Sequence, residues 1–125
     1  MQILLVEHSL MLRRTLSEMA KQLGHAPLAA SSAQAAIELL DQYSIDMLLV
    51  NPDMPANSGI ELLYEMQSYG DLRDIPSILM VDKPELYTEH QATLKDIGVS
   101  LIISRRHITQ SSLANYIEHV LFAIQ

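Results

Sequence analysis

An α/β domain organised on an open parallel sheet is the fold this sequence predicts, and three observations carry the prediction. Short aliphatic runs alternate with segments of helical apolar spacing along the whole chain. The runs are continuously apolar rather than alternating with polar residues, the pattern of strands buried on both faces. Connections between strand and helix are short, as in repeated β-α units whose helices cover both sides of one sheet.

Residues 1–6 are the first strand, ended by Glu7-His8-Ser9. Leu12, Leu16, Met19 and Leu23 then share one helical face, and Gly24 closes that helix. Residues 26–30 form a weak second strand, after which Ser31 or Ser32 can cap a helix with Ala33, Ala36, Ile37 and Leu40 facing inward. The small alanines favour close helix–sheet packing. The third strand is Met47-Leu48-Leu49-Val50, and the polar, Pro-broken segment Asn51-Pro52-Asp53-Met54-Pro55 follows at once. A loop through Asn57-Ser58-Gly59 leads to a helix carrying Ile60, Leu63 and Met66, stopped by Gly70-Asp71. Residues 75–81 are the fourth strand, with Pro76 near its start where a missing N–H is tolerated. After Asp82-Lys83, a helix with Pro84 in its first turn has Leu86 and Leu94 inside and runs to Ile97-Gly98. Residues 99–103 are the fifth strand, and a last helix from Thr109 or Ser111 presents Leu113, Tyr116, Ile117, Val120, Leu121 and Ile124. Gly24, Gly59, Gly70 and Gly98 all fall at element boundaries, which assigns them to backbone conformation.

At 125 residues the chain reads as a single domain spanning 1–125, large enough for one core without metal or disulfide support. It has no cysteine, no apolar stretch of membrane-spanning length and no basic-then-apolar leader, so a cytoplasmic location is expected. A net charge of −7 opposes direct binding to nucleic acid or to anionic membranes. Arg13-Arg14 and Arg105-Arg106 run against that balance, and at least one member of each pair is expected in solvent. No nucleophile–base motif, Gly-rich phosphate loop or dinucleotide fingerprint is present.

Ligands and chemistry in a doubly wound sheet gather at the carboxyl ends of the strands. Loops there bring together Glu7 and His8, Asn51 and Asp53, Val81 and Asp82, and Ser104 and Arg105. The run 48–55, continuing through Gly59-Ile60-Glu61-Leu62-Leu63, resembles the third strand and active-site loop of response-regulator receiver domains of two-component signalling. The ungapped match covers essentially the whole chain and is strongest at 3–7, Met54-Pro55 and 59–63. The resemblance implies a flavodoxin-like, doubly wound five-stranded parallel sheet of order 2-1-3-4-5 with five helices. It also implies a place in phosphorelay signal transduction.

In that family the third strand ends in an aspartate that accepts a phosphoryl group, and here the position is Asn51. An amide lacks the carboxylate oxygen that attacks phosphorus, and Pro52 lacks the backbone N–H through which asparagine usually cyclises and deamidates. Glu7 keeps the first position of the family's Mg²⁺-binding acidic pair and His8 replaces the second, so Mg²⁺ should bind weakly or not at all, and no cofactor is expected. Val81 falls on the family's hydroxyl switch position, or Asp82 does if the register slips by one. Ile102 replaces the aromatic switch residue, and Arg105 replaces the lysine.

The expected function follows: a non-enzymatic, receiver-like pseudo-receiver acting by phosphorylation-independent binding to a protein partner, whether kinase, output domain or regulator. The resemblance places the contact, including a homodimer, on the fourth helix, fifth strand and fifth helix. Leu86, Tyr87, Ile108, Tyr116 and Phe122 are candidates for that surface or, alternatively, for the core. The alternatives are a receiver phosphorylated at a displaced acceptor, Asp53, and a metal or small-ligand sensor. Glu7, His8 and Asp53, with His107, offer N and O donors for Zn²⁺ or Mn²⁺. The pocket could also be vestigial, with Glu7 paired to Arg105.

Overall fold

A computed structural model describes residues 1–55 and 59–123. The expected loop residues Asn57 and Ser58 and the apolar Ile124 lie outside the described residues. Strands β1 (Gln2–Val6), β2 (Ala26–Ala30), β3 (Met47–Val50), β4 (Ser77–Val81) and β5 (Val99–Ser104) form one parallel sheet of order β2-β1-β3-β4-β5. Helices α1 (Leu10–Gln22), α2 (Ala33–Gln42), α3 (Gly59–Met66), α4 (Gln91–Asp96) and α5 (Gln110–Ala123) connect and follow them, and a 3₁₀ helix (Pro84–His90) precedes α4. This is the flavodoxin-like arrangement expected from the sequence.

The period of two along each strand divides the core into two layers. Leu4, Val6, Leu48, Val50, Leu79 and Val81 face one side, where Ala36, Leu40, Leu62, Leu63, Met66 and Leu94 of α2, α3 and α4 cover them. Ile3, Leu5, Met47, Leu49, Ile78, Met80 and Ile103 face the other, under Leu16 of α1 and Leu113, Ile117 and Val120 of α5. Apart from Gln2 at the start of β1 and the buried Ser77 at the start of β4, the central strands are apolar because both faces need apolar cover. Ser32 caps α2, its hydroxyl accepting from the Ala35 N–H at 3.1 Å, and Ser9 does the same for α1 from Leu12 at 3.3 Å.

Several boundaries differ from the expectations. The third helix stops at Met66 rather than at Gly70, because Gln67, Ser68 and Tyr69 donate to carbonyls three residues back, at 3.1, 3.0 and 3.2 Å. The fourth strand starts at Ser77: the Pro76 carbonyl accepts from Leu48 at 3.0 Å, but proline has no N–H with which to complete the pairing to β3. The fourth helix is divided, its first part wound as 3₁₀ with no buried residue. Leu86, expected inside, is 66% exposed there, whereas Leu94 is buried.

The glycines also divide by cause. Gly24 and Gly98 have φ of +88° and +92°, but Gly59 has no such need and is required for space. A Cβ on Gly59 would lie 2.6 Å from the Asn51 carbonyl oxygen and 2.6 Å from Val50 Cγ1.

Candidate functional site

The strand ends are aligned by register. Val6 pairs with Ala30 and Val50, and Val81 pairs with Ser104 after an irregularity between Ser77 and Ile78 accommodates the extra residue Ser100 in β5. Backbone bonding continues one residue beyond the strands: Glu7 N–H donates to Ala30 O at 3.0 Å, Asn51 N–H to Val6 O at 2.9 Å and Arg105 N–H to Val81 O at 2.8 Å. Glu7, Asn51, Asp82 and Arg105 each continue the alternation of the strand residues that face α1 and α5. Four separate strand ends therefore aim polar side chains at one place.

Glu7 is the centre of that place and is fully buried, as Asn51 nearly is. The Asn51 amide NH₂ donates to Glu7 Oε2 at 2.8 Å, and Asn51 Oδ1 accepts the Asp53 N–H at 2.9 Å. This pairing settles the amide orientation, because a flipped Asn51 would set oxygen against carboxylate and NH₂ against N–H. Glu7 Oε2 also takes the His8 N–H at 2.9 Å, while Arg105 donates through Nη2 to Glu7 Oε1 in an ion pair. The other arm of the Arg105 guanidinium lies 3.4 Å from Asp82 Oδ1. Burial pulls the guanidinium down, but the bond to Glu7, its charge and the nearby Asp82 outweigh this and hold Arg105 above the usual arginine range.

Arg13 completes the arrangement and was not among the expected site residues. Its guanidinium donates to the Glu7 carbonyl at 2.8 Å, from the first turns of α1. The signal available in the sequence was its position six residues after Glu7, on the turn of helix that passes over that strand end. Arg14 and Arg106, the partners in each basic pair, are exposed.

The structure places the remaining expected residues unequally. Val81 is fully buried against the α2, α3 and α4 layer, so Asp82, not Val81, faces Arg105. Ile102 is half-buried against that same layer. His8 Nδ1 lies 3.3 Å from Glu7 Oε2 with the ring largely in solvent, and His107 is exposed at a positive φ of 60°. Among the described residues, no group of three or more His, Asp and Glu side chains is gathered to hold a metal ion. Of the surface candidates, Leu86 and Phe122 are 66% and 73% exposed, whereas Ile108 and Tyr116 pack on the α1 and α5 layer. Leu10 and Met11, at the start of α1, form a further exposed apolar spot that the sequence reading did not single out.

Tyr87 is not free surface either. Its ring packs against the core and its hydroxyl donates to Asp53 Oδ2 at 3.4 Å. Burial, then the charge and hydrogen bond of Asp53, then the charge of Asp82, all push the Tyr87 phenol above its ordinary range. Folding thus disfavours the tyrosinate, so the contribution of this group is complete below the ordinary tyrosine range near 10 and is lost as pH rises through its elevated titration. A tyrosinate absorbance titration of the wild type minus that of Tyr87→Phe should show one phenol displaced upward. A difference trace at the ordinary position would contradict the packing described.

A cavity of about 860 Å³ lies elsewhere. Arg73, Pro76, Leu94, Gly98 and Val99 line it at the amino ends of β4 and β5, the opposite edge of the sheet from Glu7 and Asn51. No helix among the described residues is long and apolar enough to cross a membrane.

Comparison with known proteins agrees with this architecture. The chain superposes on a sensor protein from Polaromonas sp. JS666 with a TM-score of 0.88 at 18% identity, covering 99% of this chain and 98% of that one. The chemotaxis protein CheY4 of Vibrio cholerae gives 0.86 at 16%, covering 95% and 97%. The N-terminal domain of a response regulator receiver protein from Methanoculleus marisnigri JR1 gives 0.77 at 28%, covering 96% and 95%. By sequence, the chain is 26% identical over 122 residues to the two-component response regulator-like APRR9 of Arabidopsis thaliana, covering 96% of this chain and 25% of that protein. It is 30% identical over 87 residues to a probable cyclic di-GMP phosphodiesterase of Vibrio cholerae, covering 63% of this chain and 20% of that protein. The chain thus spans only a fifth to a quarter of those two relatives. A model of the response regulator receiver domain matches residues 3–118, nearly the whole of a chain whose sheet order and strand-end site are those just described, and the protein belongs to that family.

Proposed function

We propose that this receiver domain signals without phosphorylation, as a pseudo-receiver that binds a protein partner in a fixed conformation. One observation carries the reading: the buried carboxylate Glu7 is already satisfied by the Asn51 amide, the His8 N–H and Arg105. Phosphoryl transfer to this position would need a carboxylate nucleophile and a divalent cation beside it. Asn51 supplies an amide whose NH₂ is turned toward Glu7, and a cation would have to displace a guanidinium. The residues present therefore do not fit Mg²⁺, which seeks oxygen ligands in near-octahedral order. The partner face is the one around the 3₁₀ helix, α4, β5 and α5, supported by the exposure of Leu86 and Phe122. Homodimerisation through that face belongs to the same proposal.

The test is intact-mass analysis and thermal melting with acetyl phosphate and Mg²⁺. No added phosphoryl mass and no melting shift are expected, whereas a ligand at about 100 times its dissociation constant would add about 2.7 kcal/mol of stability. One phosphoryl group that is lost in Asp53→Asn and kept in Asn51→Ala would make Asp53 a displaced acceptor and end this reading. A melting shift with Zn²⁺ or Mn²⁺ alone would instead favour a metal sensor.

A further inference from the structure

The polar contacts of the site do not stop at Glu7; they close on themselves. Tyr87 donates to Asp53 Oδ2, the Asp53 N–H donates to Asn51 Oδ1, and the Asn51 NH₂ donates to Glu7 Oε2. Glu7 Oε1 then receives Arg105, whose other arm reaches Asp82, and Asp82 lies five residues before Tyr87 on one connecting segment. The ring therefore starts and ends on the chain between β4 and α4.

Apart from the Tyr87 ring, which packs against the core, that segment has little else to hold it. None of Pro84–His90 is buried, and it winds as seven residues of 3₁₀ helix, beyond the three or four residues at which this poorer hydrogen-bond geometry is common. It is preceded by Asp82 and Lys83, both exposed, and its 66% exposed Leu86 stands next to Tyr87. A short stretch with few buried apolar contacts opens locally at low cost unless side chains tie it down. Here the ties are Asp82 to Arg105 at one end and Tyr87 to Asp53 in the middle.

We infer that this ring is a conformational clasp: the buried Glu7–Asn51–Arg105 contacts hold the 3₁₀ segment closed and thereby set how Leu86 is presented to a partner. The inference rests on the phosphorylation-independent reading, because it gives Asn51 a positive role as a donor. Its consequence runs against simple repair of the site. Asn51→Asp restores a carboxylate but removes the NH₂ that donates to Glu7, and it places two carboxylates at hydrogen-bond distance inside a buried site. The substitution should open the clasp rather than restore a switch.

Hydrogen exchange of the whole chain, read by mass spectrometry without any phosphodonor, tests this in the wild type, Tyr87→Phe, Arg105→Gln and Asn51→Asp. Tyr87→Phe removes only a hydroxyl and should leave β1 and β3 protected while amides of residues 84–90 exchange about five- to tenfold faster. Arg105→Gln and Asn51→Asp should accelerate the same amides at least as much. Unchanged exchange at 84–90 in Tyr87→Phe overturns the clasp, as does unchanged exchange at 84–90 in the other two variants, whose loss of global stability accelerates sheet amides in any case. Should Asn51→Asp fail to fold, the first two variants decide. Phosphoryl mass on the wild type would overturn the proposed function alone, since the exchange comparison uses no phosphodonor.

Discussion

Replacing Arg105 by alanine is expected to lower the unfolding free energy by about 2–4 kcal/mol and the melting temperature by roughly 10 °C. Glu7 is the reason. Its carboxylate is fully buried at the end of a central strand, and the guanidinium is its only ion-pair partner from Lys or Arg among the described residues. Removing one partner of a buried pair costs roughly 3–5 kcal/mol, because the other charge is stranded out of water. The Arg105 side chain is 22% exposed, so water can enter behind the truncated side chain and lower the cost to about 2–4 kcal/mol. The cost should come from the stranded charge more than from lost packing. Glu7→Gln with Arg105→Ala is therefore expected to recover most of the stability, since a neutral amide can still accept from Asn51 and His8. Denaturant melts of the wild type, both single variants and the double variant form the cycle. A coupling of at least about 1.5 kcal/mol is expected, and additive effects would mean that the pair does not hold the site together.

Gly59→Ala should destabilise by about 2–3 kcal/mol, although alanine is the better helix former by roughly 1 kcal/mol. The new methyl would meet the Asn51 carbonyl oxygen and Val50 Cγ1 at 2.6 Å and Pro52 Cα at 2.9 Å. Two of these are backbone atoms of the segment that leaves β3, and the Gly59 N–H is itself bonded to the Pro52 carbonyl at 3.0 Å. Relief therefore requires the first turn of α3 to move away from the strand end, which carries Asn51 with it. Gly70→Ala is the matched control, because a Cβ there meets nothing within 4 Å. Chemical denaturation of both variants checks the contrast. A stable Gly59→Ala protein would show that α3 docks less closely than described.

The alternating strand and helix pattern by itself determined the fold class. Continuous aliphatic runs such as Met47–Val50 can be satisfied only between two apolar layers, and short connections leave only parallel pairing. That Glu7, Asn51 and Arg105 stand at strand ends and come together there was equally legible, because each follows from counting along a strand–loop frame. Even the choice between Val81 and Asp82 lay within reach: Met80 and Asp82 share one parity, and parity decides which face a strand residue takes.

Only the tertiary structure decided what these residues do to one another. Glu7 and Arg105 are 98 positions apart, and the sequence left their pairing as one option among several; the register that brings them together includes the extra residue Ser100 in β5, which no local pattern announces. The 3₁₀ winding of Pro84–His90, which turns Leu86 outward and Tyr87 toward Asp53, was unreadable for a related reason: 3₁₀ and α spacing share the same i to i+3 contacts over one or two turns. Gly59 was misjudged because a glycine kept for space looks identical in sequence to one kept for backbone angle. Periodicity reports which face a side chain takes, whereas distances across a sheet depend on register and on the close approach of backbones, and these are settled only when all five strands are in place.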